Sequence, residues 1–546
     1  MKAKGFLAIV LHAHLPYVRH PELEWSLEEL WLYEAITETY LPLLRIFDAF
    51  EREQIPCRLT MSITPTLGSM LQDQLLIERY LRHLDKMIDL CEKELERTRW
   101  QPEFYPLAQM YYQFYTEAKT DFCKRFSGDL VQAFAAFQDK GLVEIIASCA
   151  THGFLPLMDH AQAVDAQIAV GANWYREQFN RDPVGFWLPE CGYALGVERS
   201  LQRHGIKYVI TDTHGVLHSV PRPRYAVYAP VLHQVGVAFF GRDVESSKQV
   251  WSASEGYPGD FVYRDFYRDI GYDLDYDYVR PYLYSDYRGH TGIKYYRITG
   301  IEGEKLPYCP KVAREKAAEH AGNFMFNREK QVEYLAKHMD REPIIVAPYD
   351  AELFGHWWFE GPQWLDFLVR KIAFDQKTIK LITPGEYLER HRINQVVQPS
   401  VSSWGNNGYN EVWLDDSNEW IYRHLSVMAK EMVQLANIEA GDEIIKRALS
   451  AAARQVLLAQ SSDWAFIMQT GTMVDYAVYR TNLHIQRFNL LKQQIMDGCI
   501  DLEFLETVES QDNLFPNLDY RVFRQASVND KGVNHAWQLT SIVSQK

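Results

Sequence analysis

Cysteine is scarce: seven residues in 546, at positions 57, 91, 123, 149, 191, 309 and 499, odd in number and without a C-x-x-C pair. That excludes a disulfide framework and a structural zinc ribbon, and it points to a reduced, cytoplasmic protein. No apolar run reaches the length of a membrane span. The opening MKAKGFLAIVLHAHLPY breaks its short apolar run with histidines and offers no small-residue cleavage site. Neither a membrane protein nor a signal peptide is expected. Basic charge is also short: 57 Lys and Arg face 72 Asp and Glu, a net charge of −15. A nucleic-acid partner needs clustered basic residues and is therefore not expected. A glycine-rich phosphate turn is absent, as are the H-E-x-x-H and H-x-x-E-H patterns of metal hydrolases.

Aromatic residues, by contrast, are abundant, with 14 Trp, 33 Tyr and 27 Phe. So many flat amphipathic rings imply contact surfaces as well as core. The length predicts two or three domains. Seven short apolar runs share one form, a β-branched or aliphatic stretch that ends on a polar residue. They are FLAIVLHAH (His12, His14), RLTMSIT (Thr64), VEIIASCATH (His152), VGFWLPE (Glu190), YVITDTH (Asp212, His214), GVAFFGRD (Arg242, Asp243) and PIIVAPYD (Asp350). Continuous apolar strands separated by helical stretches predict a parallel sheet covered on both faces. Polar side chains at the strands' C-terminal ends predict a TIM-like α/β barrel rather than an open doubly wound sheet, which would carry the missing phosphate turn. The stretch TIKLIT, 378–383, is an eighth strand or lies outside the barrel.

Two insertions interrupt the repeat. Residues 66–140 carry helical periodicity, and 244–342 read as a loop-rich segment full of Tyr, Asp and Arg that folds over the barrel mouth. The stretch RHRINQVVQPSVSS marks a boundary, which divides the chain into a catalytic barrel, 1–395, and a C-terminal helical domain, 396–546.

Glu190 and Asp350 are the strand-end carboxylates in the most aromatic surroundings, and two such groups at one mouth suit nucleophile and general acid/base work on a glycosidic bond. Each could equally be a cap or an ion pair. His12 and His14 alternate on a strand, so one is expected to line the pocket while the other packs away. A metal site built from His152, His214 and Asp350 would make the protein a metal-dependent deacetylase or mannosidase; that reading stays open beside a non-catalytic glucan binder. Cys191 reads as a small buried residue rather than a nucleophile. Trp404 and Trp413 sit in a Gly/Asn loop and are expected to be ligand platforms. Asp463-Trp464 reads equally as a helix cap with a buried ring, and Arg264 as a fork that bridges hydroxyls or as a surface ion pair.

Taken together, HAHLPYVRHPE, ATHGFLPL, GFWLPECGY, YDAELFGHWWFEGP and SSWGNNGYNEVW resemble, in order, the five motif regions of glycoside hydrolase family 57, between residue 6 and about 470. The resemblance is to its 1,4-α-glucan branching enzymes. It implies a (β/α)7 barrel with a helical insertion and a C-terminal all-α domain, and a retaining mechanism without metal or other cofactor. Its substrate would be an α-1,4-glucan. The family's nucleophile falls on Glu190 and its acid/base on Asp350. The histidines of the first two motifs fall on His12, His14 and His152. Substrate contacts fall on Arg264, Trp404 and Asp463, with Trp31, Trp357 and Trp413 as further candidates. A lid-loop tyrosine that shields the intermediate falls within GVLHSVPRPRYAVYAPVLHQVG, on Tyr225 or Tyr228. Without that lid, an α-amylase or 4-α-glucanotransferase activity is the alternative.

Overall fold

The computed structural model describes residues 3–252, 255–299 and 304–524. Seven strands run parallel: β1 (Gly5–Ala13), β2 (Leu59–Ile63), β3 (Val143–Ser148), β4 (Gly185–Trp187), β5 (Tyr208–Thr211), β7 (Ala238–Gly241) and β8 (Ile344–Asp350). They curl in the order β7-β5-β4-β3-β2-β1-β8. The seam between β7 and β8 has no ladder. Instead the Asp243 amide donates to the Val346 carbonyl at 2.9 Å. A short antiparallel strand, β6 (Val231–Leu232), lines the lower part of β7 and pairs in turn with β10 (Gln395–Val396). The stretch 378–383 supplies β9 (Ile379–Leu381), which pairs with β1 at Gly5–Leu7, off the main strand order.

Strand alternation sorts the residues into two cores. Phe6, Ala8 and Val10 join Ile146, Trp187, Tyr208, Ile210, Ala238, Phe240, Ile344 and Val346 inside the barrel. Their neighbours Leu7, Ile9, Leu11, Ile145, Phe186, Val209, Phe239 and Ile345 face the surrounding helices. Because the period is two, the interior set continues along β1 to His12 and along β8 to Asp350, and these two are register partners. Ser62 of β2 is the partner of His12 on the other side. The buried parity of each strand thus dictates which polar residue emerges at the mouth.

The segment 66–140 is helical, chiefly Gln74–Thr98 and Tyr105–Thr120, with the Asp73 carboxylate accepting from the Leu76 amide at 3.1 Å as an N-cap. The segment 244–342 departs from its loop-rich reading. It begins with irregular turns and short helices but ends in the 29-residue helix Pro310–His338. The buried stripe of that helix is Ala313, Ala317, Ala321, Phe324, Arg328, Val332 and Leu335. Three alanines and an arginine make this stripe weakly apolar, which hides the helical period in the sequence. From Trp420 onward the described residues form five α-helices, Trp420–Ala436, Glu443–Ala459, Ser462–Thr470, Val474–Asp497 and Leu502–Gln511.

The turn that follows Asp350 is fixed against the segment Ile36–Tyr40, a π-helical turn. Gly355 holds φ 119°, and a Cβ there would fall 1.7 Å from the Glu38 carbonyl oxygen. Only glycine meets both the left-handed backbone and the close approach. Gly355→Ala is expected to destabilise the protein by roughly 2 kcal/mol or more, measured as a lower midpoint of urea unfolding.

Candidate active site

Glu190 sits in the 3-10 turn after β4 with φ 61° and ψ 23°; Cys191 (φ 51°) and His152 (φ 56°) are also left-handed. Three non-glycine residues held in this sparse region within one neighbourhood are the kind of strain that marks a functional site. The Glu190 carboxylate receives two hydrogen bonds. Trp404 Nε1 donates to Oε2 at 2.8 Å and Ser462 Oγ donates to Oε1 at 2.9 Å. Backbone bonds place both donors. Ser402 and Tyr193 exchange amide bonds of 2.8 and 3.2 Å, and the Trp404 amide donates to the Glu190 carbonyl at 2.9 Å. The Ser462 amide donates to the His152 carbonyl at 3.0 Å.

A chain of polar contacts runs behind Glu190. Ser62 Oγ lies 2.6 Å from His12 Nδ1, His12 Nε2 lies 3.0 Å from His152 Nε2, and His152 Nδ1 lies 2.9 Å from Ser462 Oγ. Ser462 spends its one proton on Glu190, so it accepts from His152 Nδ1–H. His152 Nε2 then accepts from His12 Nε2–H, and His12 Nδ1 accepts from Ser62. Every donor points toward the Glu190 carboxylate, and both imidazoles must be neutral. Burial and the neighbouring His14 charge hold His12 and His152 well below the ordinary imidazole pKa, in agreement. His12 also stacks on Trp187, with centroids 4.4 Å apart.

His14 behaves differently. Its Nε2 lies 3.0 and 3.1 Å from the Asp463 carboxylate oxygens, and its Nδ1 lies 2.9 Å from Thr64 Oγ1. Burial disfavours a charge here, but Asp463, Glu190 and Glu352 outweigh it and raise the pKa. The expectation that His12 and His14 face opposite ways does not hold: residues two apart along a strand share a face, and the His14 ring, just past the end of β1 at Ala13, stacks on His152 at 3.8 Å.

Asp350 closes β8 at the mouth. Among the described residues none donates a hydrogen bond to its carboxyl group. Burial, reinforced by the Glu352 charge, pushes its pKa up to about 7 against the pull of His14 and Arg242. Burial also carries Glu190 to about 7, with Trp404 and Ser462 pulling down and Asp463 and Asp350 pushing up. Both groups therefore titrate near neutrality, and the two donors favour the ionised form at Glu190 while Asp350 receives none.

Residues 8–400 match the family "Glycosyl hydrolase family 57", and residues 424–523 match "1,4-alpha-glucan branching enzyme, C-terminal". The chain belongs to glycosyl hydrolase family 57. It is 32% identical to the 1,4-alpha-glucan branching enzyme TK1436 of Thermococcus kodakarensis, over 94% of this chain and 77% of that one. Among solved structures it is similar to the novel alpha-amylase AmyC from Thermotoga maritima, at 43% identity and TM-score 0.90, covering 96% of this chain and 100% of that one. It is also similar to the GH57-type branching enzyme of Pyrococcus horikoshii, at 31% identity and TM-score 0.86, covering 96% and 97%.

Within this family 57 chain, Glu190, Asp350, His12, His14, His152, Trp404 and Asp463 form one interacting cluster. Other candidates lie elsewhere. Trp413 is buried, with its ring stacked on Phe154 at 4.3 Å, so it is a core residue rather than a platform. The fork of Arg264 is buried as well. Its Nη1 sits 3.2 Å from the Tyr111 hydroxyl and 3.6 Å from Glu38, with the guanidinium over the Phe359 ring, while Nε has no hydrogen-bond partner among the described residues. Trp357 is half exposed and stacks on Phe266 at 4.6 Å, leaving one face open to solvent beyond β8. Trp31 is partly buried with its edge toward Tyr476. The Tyr225 hydroxyl binds Asp340, and the Tyr228 carbonyl accepts from the Ile344 amide at 3.0 Å. Tyr225 therefore lies before the start of β8, and the Tyr228 hydroxyl lies 3.4 Å from Gln331 Nε2, which also binds Asp243; neither tyrosine is hydrogen-bonded to Glu190 or Asp350 among the described residues.

The proposed metal set does not assemble, since His214 Nε2 is taken by the Gly408 carbonyl at 2.7 Å. His14, His152 and Asp463 do bring ligand atoms within 4.8 Å of one another. Their atoms are already engaged with each other, with Thr64, Ser462 and His12, which suits a hydrogen-bonded network. Ser462, Glu352, Tyr40 and Trp187 escape sequence reasoning. A serine or tyrosine carries no local signal of the carboxylate it meets across the fold.

Trp404→Phe keeps a ring and removes one donor to Glu190. Glu190 then binds its proton more tightly, so the ascending limb of the pH–activity profile moves to higher pH, with activity at pH 6 falling by roughly tenfold. Initial rates on amylose across pH 5–9 check this.

Proposed function

We propose that the protein is a 1,4-α-glucan branching enzyme that cleaves α-1,4 bonds by a retaining double displacement and passes the chain to a 6-hydroxyl. The observation that carries this reading is the match of residues 424–523 to the branching-enzyme C-terminal family, together with the two donors that Trp404 and Ser462 bring to Glu190.

In this reading the ionised Glu190 attacks the anomeric carbon while Asp350 delivers its proton to the leaving oxygen. Asp350, now a carboxylate, then takes the proton of the acceptor hydroxyl as the glycosyl–Glu190 bond breaks. The neutral His12–His152–Ser462 chain holds the attacking oxygen Oε1 in place without competing for its charge. The His14 cation, paired with Asp463, balances the negative charge of the mouth. Trp357 offers an open ring face on which a glucan can stack, a contribution of about 1 kcal/mol. Synthesis of a glycogen-type polymer in the cytoplasm fits the free cysteines.

A second reading, hydrolysis as an α-amylase, is favoured by the 43% identity to AmyC and by the bonding of Tyr225 and Tyr228 to groups other than Glu190 and Asp350. Proton NMR of amylose after long incubation separates the two. Branching yields new α-1,6 signals in excess of new reducing ends, and the reverse ratio would establish the hydrolase. Glu190→Gln is expected to lower either activity by on the order of 10³-fold or more while amylose binding, measured by isothermal titration calorimetry, persists.

A further inference from the structure

Two residues beyond Asp350, in the turn Ala351–Leu353, lies another buried carboxyl group, Glu352. It ties three parts of the mouth together. Its Oε1 accepts from the Tyr40 hydroxyl at 2.5 Å, at the end of the π-helical turn, and from the His14 amide at 3.1 Å, just past β1. Its own carbonyl accepts from the Trp357 amide at 3.2 Å, which sets the loop that carries that ring. The steps outlined for Glu190 and Asp350 make no use of it.

We propose that Glu352 is a positioning residue that keeps the acid proton on Asp350. Burial raises the pKa of Glu352 too, but the Tyr40 hydroxyl and the His14 amide converge on its Oε1 and pull it back, whereas no donor reaches Asp350, so of these neighbours Glu352 is the better held as a carboxylate. A fixed negative charge two residues away then makes Asp350 hard to ionise, and the proton stays where the leaving oxygen needs it. The remaining charges that face the acid are Glu190, which is negative, and His14 and Arg242, which are positive. His14 is itself ion-paired with Asp463 at 3.0 Å. Glu352 is the largest neighbouring charge acting on Asp350, and its effect opposes those of His14 and Arg242. The same Tyr40 and His14 bonds fix the direction of the turn, so charge and geometry come from one side chain.

This inference rests on Asp350 as the acid, and it is tested by cleavage of amylose whatever acceptor takes the chain. It therefore stands or falls apart from the choice between transfer and hydrolysis. Glu352→Gln keeps an acceptor oxygen for Tyr40 and the His14 amide and removes the charge. The descending limb of the kcat/KM profile should move to lower pH by about one unit, so that the rate at pH 8 falls roughly tenfold more than the rate at pH 6. An aryl α-maltoside, whose leaving group needs little protonation, should lose much less. Tyr40→Phe removes one donor from Glu352, lets that group take up a proton more readily, and should shift the same limb in the same direction by less. It serves as the second variant if Glu352→Gln does not fold. A profile that coincides with the wild type, or a loss equal at every pH and on both substrates, would overturn the proposal and leave Glu352 a structural residue.

Discussion

Burial makes the carboxyl groups of Glu190 and Asp350 both hard to ionise, and the function proposed for this protein depends on how differently the fold treats them. The difference lies in unequal hydrogen bonding. Glu190 is given Trp404 Nε1 and Ser462 Oγ, and Asp350 is given no donor among the described residues. Burial brings both near pKa 7, so a modest difference in donors is enough to favour the carboxylate at Glu190 over Asp350. Had either been solvated, water would supply donors to both and erase the distinction.

This arrangement explains why the C-terminal half is structurally inseparable from the barrel mouth. The donors to Glu190 come from residues 404 and 462, and the partner of His14 from residue 463. The Trp404 loop is pinned on both flanks, by the Tyr193–Ser402 exchange and by His214, whose ring would meet a Cβ added at Gly408. The helix that starts at Ser462 is pinned through His152 and Gly153. A barrel lacking these segments would retain both carboxylates and lose the means of telling them apart.

The aromatic richness of the chain divides into two uses with different physics. Trp187, Trp358, Trp364, Trp413 and Trp464 are buried and pack against other rings of the cores. Trp357 keeps an exposed face, and Trp404 spends its ring nitrogen on Glu190. An indole can thus serve as wall, platform or donor, and composition alone does not distinguish these. That is why Trp404 and Trp413, nine residues apart and packed in one cluster, end in different roles, one donating to Glu190 and the other buried against Phe154.

The strand pattern by itself determined a parallel barrel of seven or eight strands, the helical insertion and the helical C-terminal part, because burial on both faces forces continuous apolar strands and burial on one face forces a helical stripe; the count of seven came with the resemblance to the family. The pattern also determined which strand ends carry polar residues, since parity along β1 and β8 is a local property. The helix Pro310–His338 stayed hidden because its buried face is built from alanines and one arginine. The asymmetry of the site could be decided only by the tertiary structure. The bonds Ser462–Glu190, Tyr40–Glu352 and His14–Asp463 join residues 272, 312 and 449 positions apart. A hydrogen bond depends on distances of a fraction of an ångström, and no spacing in the chain records which remote side chains the fold will bring that close.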